Sequence, residues 1–229
     1  MRVLVTRPLE DAEETGRQLR LRGHEAVIVP LLVTHFADGP DVKLDGVQAI
    51  LATSANGVRA LARRTPRRDL ALFAVGPQTA GEAHASGFQN VKSADGDAAA
   101  LAKCTLRWAK PDGGPLLHVV GAGNDGKLGG ALAGFTLRQE ILYAVTAVEK
   151  LPAEAALALQ EGALDAALFF SPRSAAVFRD CVRAQNLPVQ SLLAACISPA
   201  AAAALAPLAF RRISAAVRPN LAALLELLD

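Results

Sequence analysis

The sequence predicts an α/β fold of two similar doubly wound parallel-sheet domains joined by a two-stranded hinge. Three observations predict it. Short apolar runs ending in Pro, Gly or Ser alternate with longer segments of helical spacing, the pattern of parallel strands covered by helices. A module of three βα units occurs twice. The two copies are flanked on opposite sides by spare βαβ units that can complete their sheets.

Taken in order, Val3 to Val5 is an apolar strand ending at Thr6-Arg7-Pro8. A helix then runs to about Arg22, Gly23 stops it, and Ala26 to Val29 returns as a strand ending at Pro30. The first module copy follows. Ala49 to Ala52 is a strand leading through Thr53-Ser54-Ala55-Asn56-Gly57 into a helix, and Leu72 to Val75 turns at Gly76-Pro77 into another. A short strand near Val91 precedes a helix from about Asp97. The second spare unit is a strand at Leu116 to Val120, a helix near Leu128 to Ala133 and a strand near Ile141 to Val145. In the second copy Leu168 to Phe170 leads through Ser171-Pro172-Arg173-Ser174 into a helix, Ala194 to Ile197 turns at Ser198-Pro199, and a strand near Ile213 precedes a helix from about Asn220. The alanine-rich stretch Ala200 to Phe210 reads as a buried helix.

Joining each module to the spare unit on its far side gives one discontinuous domain, 1–33 with 149–229, and a second, 37–144. The chain crosses between them near Leu31 to Ala37 and near Val145 to Leu151. Leu32-Val33-Thr34-His35-Phe36 and Tyr143-Ala144-Val145-Thr146-Ala147-Val148 are rich in β-branched residues, which suits pairing as a hinge beside a cleft.

Composition narrows the function classes. With 24 Lys and Arg against 22 Asp and Glu, and no long basic run, the chain lacks the charge excess of a nucleic-acid binder. Aromatic residues are 4%, with one Trp and one Tyr, too few for single-strand stacking platforms. The 3 cysteines, Cys104, Cys181 and Cys196, form no CxxC pair, against both a disulfide framework and a zinc site; a reducing cytoplasm is expected. The N-terminal apolar run is too short for a signal peptide, and no stretch reaches the ~20 residues needed to span a bilayer.

Ligands of doubly wound sheets lie at the carboxyl ends of the strands. Those ends are Thr6-Arg7, Ser54-Ala55-Asn56-Gly57, Gly76-Pro77, Gly121-Ala122-Gly123-Asn124, Ser171-Pro172-Arg173-Ser174 and Ser198-Pro199. Small polar residues there leave helix N-terminal amides ready for carboxylates or phosphates; at any single loop the same residues serve as helix caps. Gly121 to Leu128 also fits GxGxxG and GxxxxGK, although Leu128 stands where a P-loop has Ser or Thr. A glycine-rich anion loop, a nucleotide-dependent enzyme using Gly121 to Gly126, and a two-domain anionic-solute-binding protein are therefore competing readings. The four histidines are isolated, and His118 lies in an apolar run as a core residue. Tyr143, at the second crossing, is either a donor or weak acid facing the cleft or a hinge-packing ring.

Together, VLVTRP at Val3 to Pro8, ATSANGVRAL at Ala52 to Leu61, AVGPQTA at Ala74 to Ala80, LYAV at Leu142 to Val145 and FFSPRSAAVF at Phe169 to Phe178 resemble the uroporphyrinogen-III synthase family over nearly the whole chain. The resemblance implies a bidomain α/β enzyme with a flexible linker. Its substrate is hydroxymethylbilane, a linear tetrapyrrole rich in carboxylates, cyclised with inversion of ring D and loss of water. It implies no cofactor, and a cytoplasmic monomer with no nucleic-acid or membrane partner is expected. Carried over to this chain, Tyr143 matches the tyrosine that assists departure of the hydroxyl, Thr79 the threonine of the GxxTA turn, and Ser54 and Ser171 the strand-end serines. Two departures stand out. Ser198-Pro199-Ala200-Ala201 replaces a Gly-Pro turn followed by threonine, and the Gly121 loop lacks an arginine, leaving Lys127 and backbone amides in its place.

Overall fold

The computed structural model describes residues 1–123 and 127–228, without the side chains of Glu10 and Lys127. The chain opens with β1 (Arg2–Val5), α1 (Leu9–Leu21), β2 (Glu25–Ile28) and β3 (Leu32–Phe36). The first repeat copy is β4 (Ala49–Ala52), α2 (Ala55–Arg63), β5 (Ala71–Ala74), α3 (Pro77–Ala85), β6 (Asn90–Ser93) and α4 (Ala98–Trp108). Then come β7 (Leu116–Gly121), α5 (Lys127–Ala131), β8 (Leu137–Ala147) and α6 (Ala153–Gln160). The second copy is β9 (Ala166–Phe169), α7 (Pro172–Ala184), β10 (Leu193–Cys196), α8 (Pro199–Leu205), β11 (Arg212–Ala215) and α9 (Leu221–Leu225).

The strands form two sheets, ordered β11-β10-β9-β1-β2 and β3-β8-β7-β4-β5-β6. In both, the strands of a βαβ unit lie beside the three strands of a module, all in parallel. This is the α/β class that the alternation of apolar runs and helical segments predicts. The second sheet carries β3 as an extra edge strand. Ala37 N–H donates to Leu142 O at 2.8 Å and Val148 N–H to Leu31 O at 3.1 Å, an antiparallel relation between the two crossing segments. Two compact units result, Met1–Val33 with Thr146–Asp229, and Thr34–Val145. Residues 34–36 and 145 fall in the second unit and 146–148 in the first, stretches left in the crossings when the sequence is read alone.

Each sheet is buried on both faces. In the first unit Leu4, Ala167, Phe169, Ala194 and Cys196 face one core with Ala155, Leu159 and Phe178, while Val3, Val5, Leu168 and Ala195 face the other with Leu19 and Leu224. In the second unit Ile50, Ala52, Leu72, Leu117 and Val119 pack with Val58 and Leu61, and Leu51, Phe73 and Leu116 pack with Leu101 and Leu128. Full burial of each such Leu, Val, Ile or Phe side chain is worth ~1.5–3 kcal/mol relative to exposure. Gly23, at φ +77°, supplies the left-handed residue that ends α1.

Three elements differ from the sequence reading. That reading gives α6 no place, yet Ala155, Ala158 and Leu159 bury one of its faces; with so many alanines, polar and apolar positions alternate too weakly to signal a helix. The helix expected through Ala200 to Phe210 stops at Leu205, ahead of Pro207, and buries only Ala201 and Leu205, because alanine is apolar on faces that pack against nothing. β8 begins at Leu137 instead of near Ile141, because the polar run Arg138-Gln139-Glu140 that follows Leu137 gives no apolar signal. No helix among the described residues is long and apolar enough to cross a membrane.

His118, on β7, is 1% exposed, and its Nε2 lies 3.4 Å from Thr53 Oγ1. Burial pushes its pKa down from 6.5 to about 4. The folded ring therefore stays neutral where the unfolded ring takes up a proton. The stability tied to this difference is fully present above the unfolded value of 6.5 and is lost as pH falls towards the folded value of about 4. Between about pH 7.5 and about pH 5 the wild type is expected to lose ~2 kcal/mol more than His118→Gln in urea denaturation. Parallel pH dependences would contradict this origin.

Candidate active site

In the second unit the carboxyl ends of β4, β5, β7 and β8 bring several predicted residues together. Ser54 has extended backbone and caps α2, its Oγ accepting the Gly57 N–H at 3.0 Å. The same oxygen lies 2.8 Å from the Tyr143 hydroxyl. Gly57 lets the first turn of α2 sit close on β7: a Cβ there would stand 3.3 Å from Val119 O and 3.4 Å from Ser54 Oγ. Tyr143 is half-buried, with its ring against the α2–α3 core.

Asn56 is braced at both ends of its amide. Its Nδ2 donates to Thr34 Oγ1 at 3.1 Å, and its Oδ1 accepts from an Arg59 guanidinium nitrogen at 3.0 Å. Arg59 in turn pairs with Glu82 on α3 at 2.7 Å, their side chains 16% and 20% exposed. Gly76 caps α3 without a side-chain acceptor and Pro77 is the first helical residue, so the Gln78 and Thr79 amides have no side-chain partner from the cap. Thr79 itself is 5% exposed. Gly121 ends β7 directly opposite Tyr143, after a register shift between Val120 and Gly121. Asn124 lies outside the described residues, as does the Lys127 side chain; α5, which Lys127 opens, is five residues long. The GxGxxG and GxxxxGK readings thus fall partly on residues 124–126, outside the described residues.

In the first unit Thr6 is fully buried, and its hydroxyl donates to Leu168 O at 2.7 Å, tying β1 to β9. The hydroxyl proton is thus engaged by the sheet. The Arg7 guanidinium pairs with Asp11 at 3.1 Å, donates to Thr15 Oγ1 at 3.3 Å and lies 4.4 Å over the Phe170 ring. Ser171 caps α7, accepting the Ser174 N–H at 3.0 Å, and Ser198 caps α8, accepting the Ala201 N–H at 3.3 Å. Arg173 is exposed in the first turn of α7. Capping is therefore the immediate role of all three strand-end serines, and only Ser54 also meets a tyrosine. Sequence reasoning missed Thr34, Arg59 and Glu82. Their spacing is neither helical nor strand-like, because the contacts join three different elements, so no local pattern could have flagged them. Among the described residues no cluster of His, Cys, Asp and Glu is arranged to hold a metal.

Two doubly wound units, with helix N-termini at the sheets' carboxyl ends and a tyrosine hydroxyl among those of the second, define the class: a two-unit parallel α/β protein. The model of the family described as uroporphyrinogen-III synthase HemD matches residues 13–226, and the chain belongs to that family. It is a cyclising hydro-lyase of tetrapyrrole biosynthesis, closing hydroxymethylbilane with inversion of ring D and loss of water. Among solved structures, uroporphyrinogen-III synthetase from Helicobacter pylori is 16% identical, with 100% of this chain and 98% of that one aligned at a TM-score of 0.63. A mutant uroporphyrinogen III synthase from the extremely thermophilic bacterium Thermus thermophilus is 17% identical over 99% and 96% of the two chains, TM-score 0.52. At these identities the likeness concerns the fold. Among curated proteins no match is found.

The Arg59–Glu82 pair is shielded enough that removing one partner strands the other charge, whereas Arg67–Asp69 is exposed at 41% and 63%. Glu82→Ala is expected to cost about 1–3 kcal/mol in denaturant unfolding, and Asp69→Ala is expected to leave the midpoint unchanged. Equal effects would show that the Asn56 brace carries no more than a surface pair.

Proposed function

We propose that Tyr143 is the acid of the cyclisation. The observation that carries this reading is the Tyr143 hydroxyl at the carboxyl end of the second unit's sheet, 2.8 Å from the Ser54 oxygen that caps α2. Hydroxide is a poor leaving group; a proton from the tyrosine lets it depart as water, leaving tyrosinate and an azafulvenium cation whose methylene carbon is electron-poor. The substituted carbon of ring D then attacks that carbon, provided the chain is held folded and water is kept away. A positioned acid supplies roughly 10²–10⁴-fold of such a rate.

Carboxylate anchoring is assigned to backbone donors. The first-turn amides of α3 after Gly76 and the start of α2 at Ser54 support this in the second unit; in the first unit, taken by itself, the start of α7 at Ser171 offers the same donors beside exposed Arg173. Arg7, already paired with Asp11, exchanges one carboxylate partner for another if it contributes. The free thiols Cys104, Cys181 and Cys196 support a reducing, cytoplasmic setting, and the near-neutral charge supports a small-molecule substrate and no nucleic-acid partner. We infer a working monomer, with each unit having its own two-faced core.

Tyr143→Phe keeps the ring and removes the proton. It is expected to slow turnover roughly 10²-fold or more without unfolding the chain. Hydroxymethylbilane released unprocessed closes spontaneously to the type I isomer, so type I should accumulate in place of type III. Normal turnover with undiminished type III yield from Tyr143→Phe would overturn the acid role.

A further inference from the structure

We propose that Gly121 is a positioning residue for the reaction: the missing side chain at 121, together with the bulge beside it, forms the slot in which the Tyr143 ring lies, and Ser54 fixes the hydroxyl at its open end. This rests on the reading of Tyr143 as the acid.

Three observations carry it. From Leu116 to Val120, β7 and β8 advance in step, Val120 opposite Ile141; the next pair is Gly121 with Tyr143, so β8 uses one residue more, Leu142, than β7. That extra residue sets Tyr143, and not Leu142, against the end of β7, while Leu142 turns into the core at 2% exposure. The Ala122 N–H then closes the bulge on Tyr143 O at 2.7 Å.

Next, a Cβ built on Gly121 would stand 2.8 Å from Tyr143 Cε2, 2.8 Å from Cζ and 3.2 Å from the hydroxyl oxygen, and these are its three nearest neighbours. Carbon atoms in good contact are about 3.5–4.0 Å apart, so any side chain at 121 drives the ring aside by roughly 1 Å. The backbone of Gly121 lies outside the left-handed region, so alanine fits its conformation, and the tyrosine ring is what excludes it. The ring has little freedom to yield, because it packs on the α2–α3 core and its hydroxyl is tied to Ser54.

Finally, Ser54 Oγ already accepts the Gly57 N–H, which leaves its own proton free to turn to the tyrosine oxygen once that oxygen has given its proton away. The start of α2 thereby reaches the developing phenolate through one hydroxyl.

The test uses the full chain with ¹³C-ring-labelled tyrosine. Tyr143 is the 1 tyrosine of the sequence, so its ring carbons give a single, assigned set of resonances. In Gly121→Ala those resonances are expected to move and kcat to fall roughly 10²-fold with KM nearly unchanged, the cost of misplacing a reacting group by about 1 Å. In a Tyr143→Phe background the same substitution should cost less than about 3-fold, since no hydroxyl is left to misplace. If Gly121→Ala folds poorly, Ser54→Gly, which preserves a tolerated cap, is expected to move the Cζ resonance and lower kcat without raising KM. Unmoved ring resonances in the folded variant overturn the slot. Moved resonances with wild-type kcat overturn the positioning role. In that event Tyr143→Phe separates the two readings: if it is slow, only the role of Gly121 falls, and if it is silent, the acid assignment falls with it.

Discussion

Burial of both sheets on both faces governs everything else in this molecule. β4, β9 and β10 are buried at every residue and β7 at every residue but Gly121, and Thr6 is fully buried at the end of β1, so a polar side chain on or at the end of such strands either satisfies itself against the backbone or gives up its charge. Thr6 takes the first course by bonding Leu168 O, and His118 the second by staying uncharged. Polar chemistry is left to the strand ends, where most of the parallel strands hand over to a helix whose first amides lack intrahelical partners.

If Tyr143 is the acid, stability and chemistry draw on the same atoms at those ends. The Ser54 oxygen that satisfies Gly57 also meets the Tyr143 hydroxyl, and the Asn56 amide that braces Thr34 is itself held by Arg59 and Glu82. Such shared use makes a group hard to replace: its loss removes a cap or a brace together with a contact at the site. A reaction dominated by holding a flexible chain folded suits this arrangement, since rigid donors need no reorganisation when the bond forms.

Much of the fold was legible because its signals are local. Apolar runs ending at Ser, Gly or Pro marked the strand ends, Gly23 marked the end of α1, and Asp97 and Asn220 marked the starts of α4 and α9, where each now caps its helix. The repeat, with the spare unit completing each copy, then implied two similar doubly wound domains. What stayed hidden was either low in contrast or set across elements. The alanines of α6 and α8 concealed one helix and lengthened another. The meeting of Ser54 with Tyr143 depends on one extra residue in β8, and Arg59 finds Glu82 only because α2 and α3 lie side by side. The bond of Thr6 to Leu168 O is hidden for a related reason: it exists only once the neighbouring strand is in place.

The central claim, that the anion-ready strand ends and Tyr143 fold and cyclise a carboxylate-rich linear tetrapyrrole, is tested most directly on the unaltered chain. Hydroxymethylbilane generated enzymatically in the same vessel would be offered to it, and the products separated chromatographically into type I and type III isomers. The account predicts type III as the main product, formed faster than spontaneous closure and in proportion to the protein added. Type I alone, at the rate seen without protein, would contradict it.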